Sequence, residues 1–256
     1  MRAREHIIIG ALLSVVVIIV SAVLIHKVSG FNQRTGTPVA TSKQSVSEIA
    51  TTEPESTTEE VTKPPLTDEL LTLVNYAHPV PENWTVDLVE IQDGAVMDKR
   101  AADDFKEMMK AAHEAGVYPY VRNAYRSKSL QETVFENKVQ EFIDSGYSRE
   151  DAEEKAKEWV AYPGTSEHQL GLAADVVDDS YHGLTEKQEE TDTQKWLMAN
   201  AHLYGFILRY PNDKKDITRT NYEPWHYRYV GRENAQKIYD SGLCLEEYLE
   251  QNYDLQ

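Results

Sequence analysis

Cysteine is almost absent. One thiol, Cys244, in 256 residues excludes an intrachain disulfide and a four-cysteine zinc site. Its absence leaves the compartment open, because a domain of this length can bury enough core without covalent staples. Basic side chains are scarce as well: 26 Lys+Arg face 43 Asp+Glu, a net charge of −17. Residues 1–65 carry six basic and six acidic side chains, whereas residues 66–256 carry 20 and 37. The whole acidic excess therefore lies in the second part. A domain this acidic repels nucleic acid and anionic lipid, which argues against nucleic-acid binding.

Two N-terminal segments are also marked by what they lack. "IIIGALLSVVVIIVSAVLI", residues 7–25, has no charge. As a helix it is roughly 28 Å long, close to the hydrocarbon thickness of a bilayer. Arg2 and Arg4 precede it and only Lys27 follows closely, so residues 1–6 are expected in the cytoplasm and the rest outside. A cleaved signal peptide has a shorter apolar core, about 7–15 residues, and a small-x-small cleavage site. "HKVSG" follows here instead, which favours an uncleaved transmembrane signal anchor. Residues 26–65 are rich in Ser, Thr, Glu and Pro and nearly free of aromatics. Such a segment cannot bury enough surface to offset its ordering entropy and reads as a disordered tether. The expected architecture is an anchor in the cell membrane, a leash, and one globular domain over 66–256.

That domain alternates helical and strand-like patterns. "DKRAADDFKEMMKAAHEAG" spaces Ala101, Phe105, Met108, Met109 and Ala112 as one helical face, with Gly116 as the stop. "VYPYVRNAYRS" is extended and ends in a polar loop. A second helix from near Ser129 carries Leu130, Val134, Phe135, Val139 and Phe142 up to Gly146. "SRED" resembles a capping box opening a third, closed off by Pro163 and Gly164. "LAADVV" reads as a short buried strand, and "TQKWLMANAHLYG" as a helix leading into the strand "FILRYP". "HYRYV" alternates like a strand, before a short helix at "RENAQKIYDSG". Helices are expected mainly in the first half, with strands around the site. The class is α+β, with helices packed on a small, mainly antiparallel sheet.

Within "SEHQLGLAADVVD", His168 lies on a turn-like segment and Asp175 in an apolar run seven residues later. A carboxylate among alanines and valines is costly unless something compensates it. A hydrolytic zinc ion takes three ligands from His, Asp or Glu and keeps a position for water. His168 and Asp175 offer two. "EPWHYR" offers His226, with Glu223 three residues earlier. Pro224 disfavours helix at Glu223, so this pair belongs on a turn entering the "HYRYV" strand. Spacing alone leaves a second reading open, in which Asp175 caps or pairs locally and both histidines are packing residues.

The longer strings separate the two. "NAYRSKSLQ", "PGTSEHQLGLAADVVD" and "EPWHYRYVG", in this order, resemble the VanY-like zinc D-alanyl-D-alanine carboxypeptidases. "LLTLVNYAHPVPENW" resembles the entry segment of that family, and the likeness covers most of residues 67–231. It implies that His168, Asp175 and His226 bind Zn²⁺. Glu223 becomes the catalytic base and Arg126 a cation that orients substrate and stabilises the transition state. Ser127, Gln131 and Ser166 fall at cleft-lining positions. Leu170 stands where the family has a small polar residue, implying an altered cleft floor. The implied activity is removal of a terminal D-alanine from peptidoglycan stem peptides, with D,D- or L,D-carboxypeptidase specificity or endopeptidase action left open. A non-catalytic peptidoglycan-binding ectodomain is the alternative from another class, but it has no need of the base and all three ligands. Asp178 and Asp179 follow the strand and read as a solvated turn rather than as residues orienting a ligand from behind, and His78, His113, His182 and His202 read as packing or surface residues. Cys244 reads as inert packing.

Overall fold

The chain makes its first turn of the described structure under a tie to its own end. Asp254 N donates to the Pro64 carbonyl at 2.9 Å, and Pro65 bridges Asp254 in parallel. The computed structural model describes residues 63–255. The expected anchor and all but the last three residues of the expected tether lie outside them. Among the described residues, no helix is long and apolar enough to cross a membrane.

Strands β1 (Leu88–Gln92) and β2 (Ala95–Asp98) form an antiparallel hairpin. Asp93 and Gly94 make its turn with φ of 46° and 81°, as a two-residue loop that follows the strand twist requires. Helix α1 (Lys99–Glu114) starts at once, because Asp98 caps it by accepting from Arg100 N at 2.9 Å. Its buried face holds the expected Ala101, Phe105, Met108, Met109 and Ala112, and Gly116 ends it at φ 82°. Strand β3 (Pro119–Asn123), helix α2 (Lys128–Asp144) and helix α3 (Arg149–Ala156) follow. Ser148 does cap α3 through Asp151 N. The helix stops at Ala156, short of Pro163, and the chain between them runs through turns.

The second half contributes β4 (Ala173–Asp178), α4 (Asp192–Asn200), β5 (Phe206–Leu208), α5 (Lys215–Thr218), β6 (His226–Tyr229), α6 (Arg232–Ser241) and α7 (Leu245–Asn252). Helices thus occur throughout and not mainly in the first half. Helix α7 forms over "LEEYLEQN", a stretch in which no sequence signal is read as a helix. Four strands pair antiparallel in the order β3-β4-β6-β5, an α+β arrangement.

Phe105, Met108, Leu172, Val176, Phe206 and Tyr227 form the main core. Phe135, Val139, Ala152 and Ala156 join α2 to α3. Ile207, Val230, Ile238 and Leu249 seat the last two helices with Leu71 of the entry segment. Cys244 is buried at the start of α7, and burial pushes its thiol up to about 11, in keeping with an inert residue.

Asp98 joins the hairpin to the site. It is 1% exposed, and its carboxylate accepts from Arg100 Nε at 2.8 Å and Nη2 at 3.0 Å. Its own N–H donates to the Gly171 carbonyl at 2.9 Å. Burial alone would raise the Asp98 carboxyl, but the hydrogen bonds from Arg100 outweigh it and hold the pKa below the usual value. A depressed pKa stabilises the fold above the unfolded value and is lost as pH falls through the folded one. Asp98→Ala is therefore expected to destabilise the protein by about 1–2 kcal/mol at pH 7. In urea titrations the gap from wild type should narrow as the pH drops below about 4. An unchanged gap at acid pH would show that the carboxylate charge is not what Asp98 contributes.

Candidate metal centre and cleft

Three neighbouring strands each present one polar residue in register. Asn123 of β3 pairs with Asp175 of β4, and Asp175 pairs with His226 of β6. Ala174 and Val176 enter the core, so alternation turns Asp175 to the opposite face. There Asn123 Nδ2 donates to Asp175 Oδ2 at 2.8 Å. The fourth side chain arrives on a one-turn 3₁₀ segment, Glu167–Leu170, which carries His168. Leu170 pins this turn by full burial in the core. Gly171 ends it at φ 72°, where a Cβ would lie 3.1 Å from the Asp98 Cβ and 3.2 Å from its nitrogen. The seven-residue spacing is thus one turn, one left-handed glycine and half a strand.

Hydrogen bonding settles which atoms face inward. His168 Nδ1 lies 2.7 Å from the Ala124 carbonyl, which can only accept. Nδ1 therefore carries the proton, and the Nε2 lone pair faces Asp175 Oδ1 at 3.4 Å. His226 Nδ1 faces the same oxygen at 3.1 Å. Donor atoms of His168, Asp175 and His226 all lie within 4.8 Å of one another. Ligands about 2.0–2.1 Å from a tetrahedral zinc are about 3.3 Å apart, so two of the three separations already match. His168 Nε2 and His226 Nδ1 converge on one carboxylate oxygen, and a cation placed between them would take the place of the Nδ1 proton. The group fits a divalent metal.

The electrostatics are consistent with this. Burial would raise the Asp175 carboxyl, but His168 and His226 outweigh it and hold it well below the usual range. Burial lowers His168, helped by the Arg126 charge, and keeps its ring neutral. Burial also works to lower His226, yet hydrogen bonds to Asp175 and Glu167 push it up to about 9, so a metal binding at this ring must displace a proton.

Glu223 sits beside the group. Its N–H donates to the Tyr210 carbonyl at 3.2 Å, and its carbonyl accepts from His226 N at 3.2 Å, closing the expected turn into β6. The carboxylate Oε2 lies 3.7 Å from His226 Nδ1. Burial pushes its pKa up to about 8, against the opposing pull of His226.

A cavity of about 210 Å³ opens over these side chains, and Arg126, Gln131, Ser166 and Tyr210 line it with them. Arg126 Nη2 lies 3.8 Å from Asp175 Oδ2, while its buried Nε has no hydrogen-bond partner. Gln131 Nε2 donates to the Ala161 carbonyl at 2.7 Å and leaves a buried Oε1 without a partner. The wall thus offers one free donor and one free acceptor.

Some expected residues fall elsewhere. Ser127 does not line this cavity; it caps α2, accepting from Leu130 N at 3.3 Å. Leu170 is core, not cleft floor. Asp178 accepts from Ser180 and Thr193 and touches neither histidine, so it orients no ligand, and Asp179 lies exposed beside His182. His78 bonds to Asn75, and His182 stacks on Tyr120. His113 packs on Tyr118 and His202 on Tyr239.

One residue of the site went unread. Glu167 is fully buried; its Oε1 accepts from Arg209 Nε and Arg228 Nη1, both at 2.7 Å. Its Oε2 faces His226 Nε2 at 3.4 Å. Burial would raise this carboxyl, but the two guanidinium charges outweigh it and hold it well below the usual range. Arg209 and Arg228, basic residues set among apolar strand residues, were the available sign of a buried counter-charge.

Fold and site together define an α+β domain built around a buried His–Asp–His group that could hold a metal, with the carboxylate of Glu223 beside it. Residues 94–232 match the VanY family, D-alanyl-D-alanine carboxypeptidase, and the chain belongs to that family. It is 45% identical over 179 residues to the D-alanyl-D-alanine carboxypeptidase of Enterococcus faecalis, covering 70% of this chain and 65% of that protein. A solved VanY D,D-pentapeptidase in complex with Zn(II) shares 45% identity at a TM-score of 0.64, covering 70% of this chain and 98% of its own. The LD-carboxypeptidase LdcB shares 41% at a TM-score of 0.63, covering 73% and 88%.

Asp175→Ala is expected to lower zinc content from one equivalent per chain to a small fraction of that, with the far-ultraviolet spectrum unchanged. Metal analysis after dialysis measures it. Full retention of zinc would mean that the three side chains are not the ligands.

Proposed function

We propose that the protein is a zinc-dependent D,D-carboxypeptidase that hydrolyses the terminal D-alanine from peptidoglycan stem peptides. The observation that carries this reading is the placement of Glu223 in one buried cleft with the His168, Asp175 and His226 group and with an unpartnered Arg126 donor. Family membership and the zinc-bound relative support it.

Zinc, when bound by His168, Asp175 and His226, supplies a Lewis acid that makes water acidic enough to attack near neutral pH and polarises the scissile carbonyl. The protein's own groups do the rest. Glu223 accepts a proton from the attacking water and delivers it to the amine nitrogen as the C–N bond breaks. A group that both takes and returns a proton works best with a pKa near the operating pH, and burial brings Glu223 to about 8. The products are free D-alanine and a stem peptide with a new terminal carboxylate. Arg126 carries the donor suited to the substrate's terminal carboxylate, because a guanidinium fork matches two oxygens. In so acidic a chain that attraction must be local. Gln131 Oε1 accepts a peptide N–H and Ser166 adds a polar wall. The apolar run at 7–25 and the Ser/Thr/Glu/Pro-rich stretch to residue 65 support a site held outside the cell membrane on a tether.

The LdcB relative favours L,D-carboxypeptidase action as the second reading. One experiment separates them. The zinc-loaded full chain is offered muropeptides ending in a pentapeptide or a tetrapeptide, with a chelated control, and mass spectrometry follows the loss of one alanine. Loss from the pentapeptide alone supports the proposal, and loss from the tetrapeptide replaces it with the second reading. No loss from either, by protein that holds zinc, would point to a binding ectodomain. Glu223→Gln is expected to keep its zinc while turnover falls by about 10²–10⁴-fold. Undiminished turnover would remove Glu223 from its role.

A further inference from the structure

A histidine can bind a metal through either ring nitrogen, and the choice depends on what holds the other one. The geometry points to Glu167 as the positioning residue that makes His226 a ligand through Nδ1. This inference rests on the metal-binding role proposed for His226.

Glu167 has no solvent exposure at its side chain, and neither do Arg209 and Arg228. Both arginines donate to the same oxygen, Oε1, at 2.7 Å. Arg209 is locked further by Glu246, through Nη1 at 2.8 Å and Nη2 at 2.7 Å. Arg228 is locked by the Leu70 and Thr72 carbonyls, both 2.9 Å from its Nη2. Neither guanidinium can rotate away without stranding a buried charge. Glu167 Oε1 is therefore committed, and only Oε2 is left to face His226 Nε2 at 3.4 Å. A carboxylate can only accept, so Glu167 holds a proton on Nε2, while Nδ1 faces Asp175 at 3.1 Å, where a metal shared with Asp175 and His168 would take the place of the proton. The orientation of one ligand thus depends on ion pairs that reach the entry segment and α7.

The same geometry makes the isosteric amide a sharp probe. In Glu167→Gln the two arginines, which donate only, hold the amide oxygen. The NH₂ is then forced toward His226 Nε2, where it donates. His226 must accept there and carry its proton on Nδ1, at the atom needed for the metal. A change of two atoms, with volume conserved, inverts the tautomer. Removal of an outer partner of this kind weakens metal binding by about 10–100-fold. Glu246→Gln is the control, because it removes a charge from the same cluster without touching His226.

The test uses the full chain labelled with ¹⁵N-histidine and loaded with zinc. Long-range ¹H–¹⁵N spectra identify which His226 nitrogen is protonated and which is bound to metal, and a competing chromophoric chelator measures affinity. Wild type is expected to show Nε2–H and metal-bound Nδ1. Glu167→Gln is expected to bind zinc about 10–100-fold more weakly, whereas Glu246→Gln should lose thermal stability and keep wild-type affinity and tautomer. Metal on Nε2 of wild-type His226 would overturn the inference, whether or not any variant folds. Equal loss of affinity in both variants would overturn it too, because Glu167 would then act through stability alone. A wild-type chain that binds no zinc would instead remove the metal reading on which the inference stands.

Discussion

Two arginine side chains with no access to water, Arg209 and Arg228, impose the constraint that organises this domain. A guanidinium cannot shed its charge, so each must meet carboxylates or carbonyls wherever the chain places it. Glu167 answers both, Glu246 answers Arg209, and two carbonyls of the entry segment answer Arg228. Residues from β6, the end of β5, the 3₁₀ turn, the entry segment and α7 are thereby held in one cluster. Removing one member of a buried pair costs about 3–5 kcal/mol, while a well-packed apolar replacement of the whole can be neutral. The cluster is better understood as fixing geometry than as adding stability. Its geometric product is a turn that carries Glu167 behind His226 and His168 in front of Asp175.

The sheet supplies the other half of the site. β4 is central, so Asp175 has a neighbour on each side at the same level, Asn123 and His226. Its carboxylate is satisfied laterally by an amide and a ring, leaving one oxygen shared between the two histidines. The opposite face of the same strand is Ala174 and Val176 in the core. That face holds the strand rigid, and rigid elements position ligands more precisely than loops do. Arg126 lies in the loop after β3, and its N–H donates to the His168 carbonyl at 3.1 Å, so the proposed substrate-binding cation is registered to the His–Asp–His group through the backbone.

Much of the fold was legible because its signals are local. The helical stripe of Phe105, Met108 and Met109, the Ser148 cap, the Gly116 stop and the strand runs at 173–178 and 226–229 depend on neighbours a few residues away. The omissions have equally local reasons. The β1–β2 hairpin turns on Asp93-Gly94 between strands that are only half buried, so alternation was weak. α7 is short, and its apolar face has meaning only against Leu71 and Ile207. Pro163 suggests a longer α3 than forms, because the chain leaves the helix at Ala156 and runs through turns before the proline.

The sequence by itself determined which residues are offered for the proposed chemistry. His168, Asp175, Glu223 and His226 stand in strings whose residue types suit a hydrolytic metal, and Pro224 alone places Glu223 on a turn. Tertiary structure decided how those residues are used. Strand register set Asp175 beside both Asn123 and His226, and a carbonyl at Ala124 chose the His168 tautomer. Ser127 became a helix cap, Leu170 went to the core, and Glu167 was drawn between two buried arginines 42 and 61 residues away. No local pattern encodes such assignments, because a hydrogen bond between distant residues exists only once the fold has removed the water that would otherwise satisfy both partners.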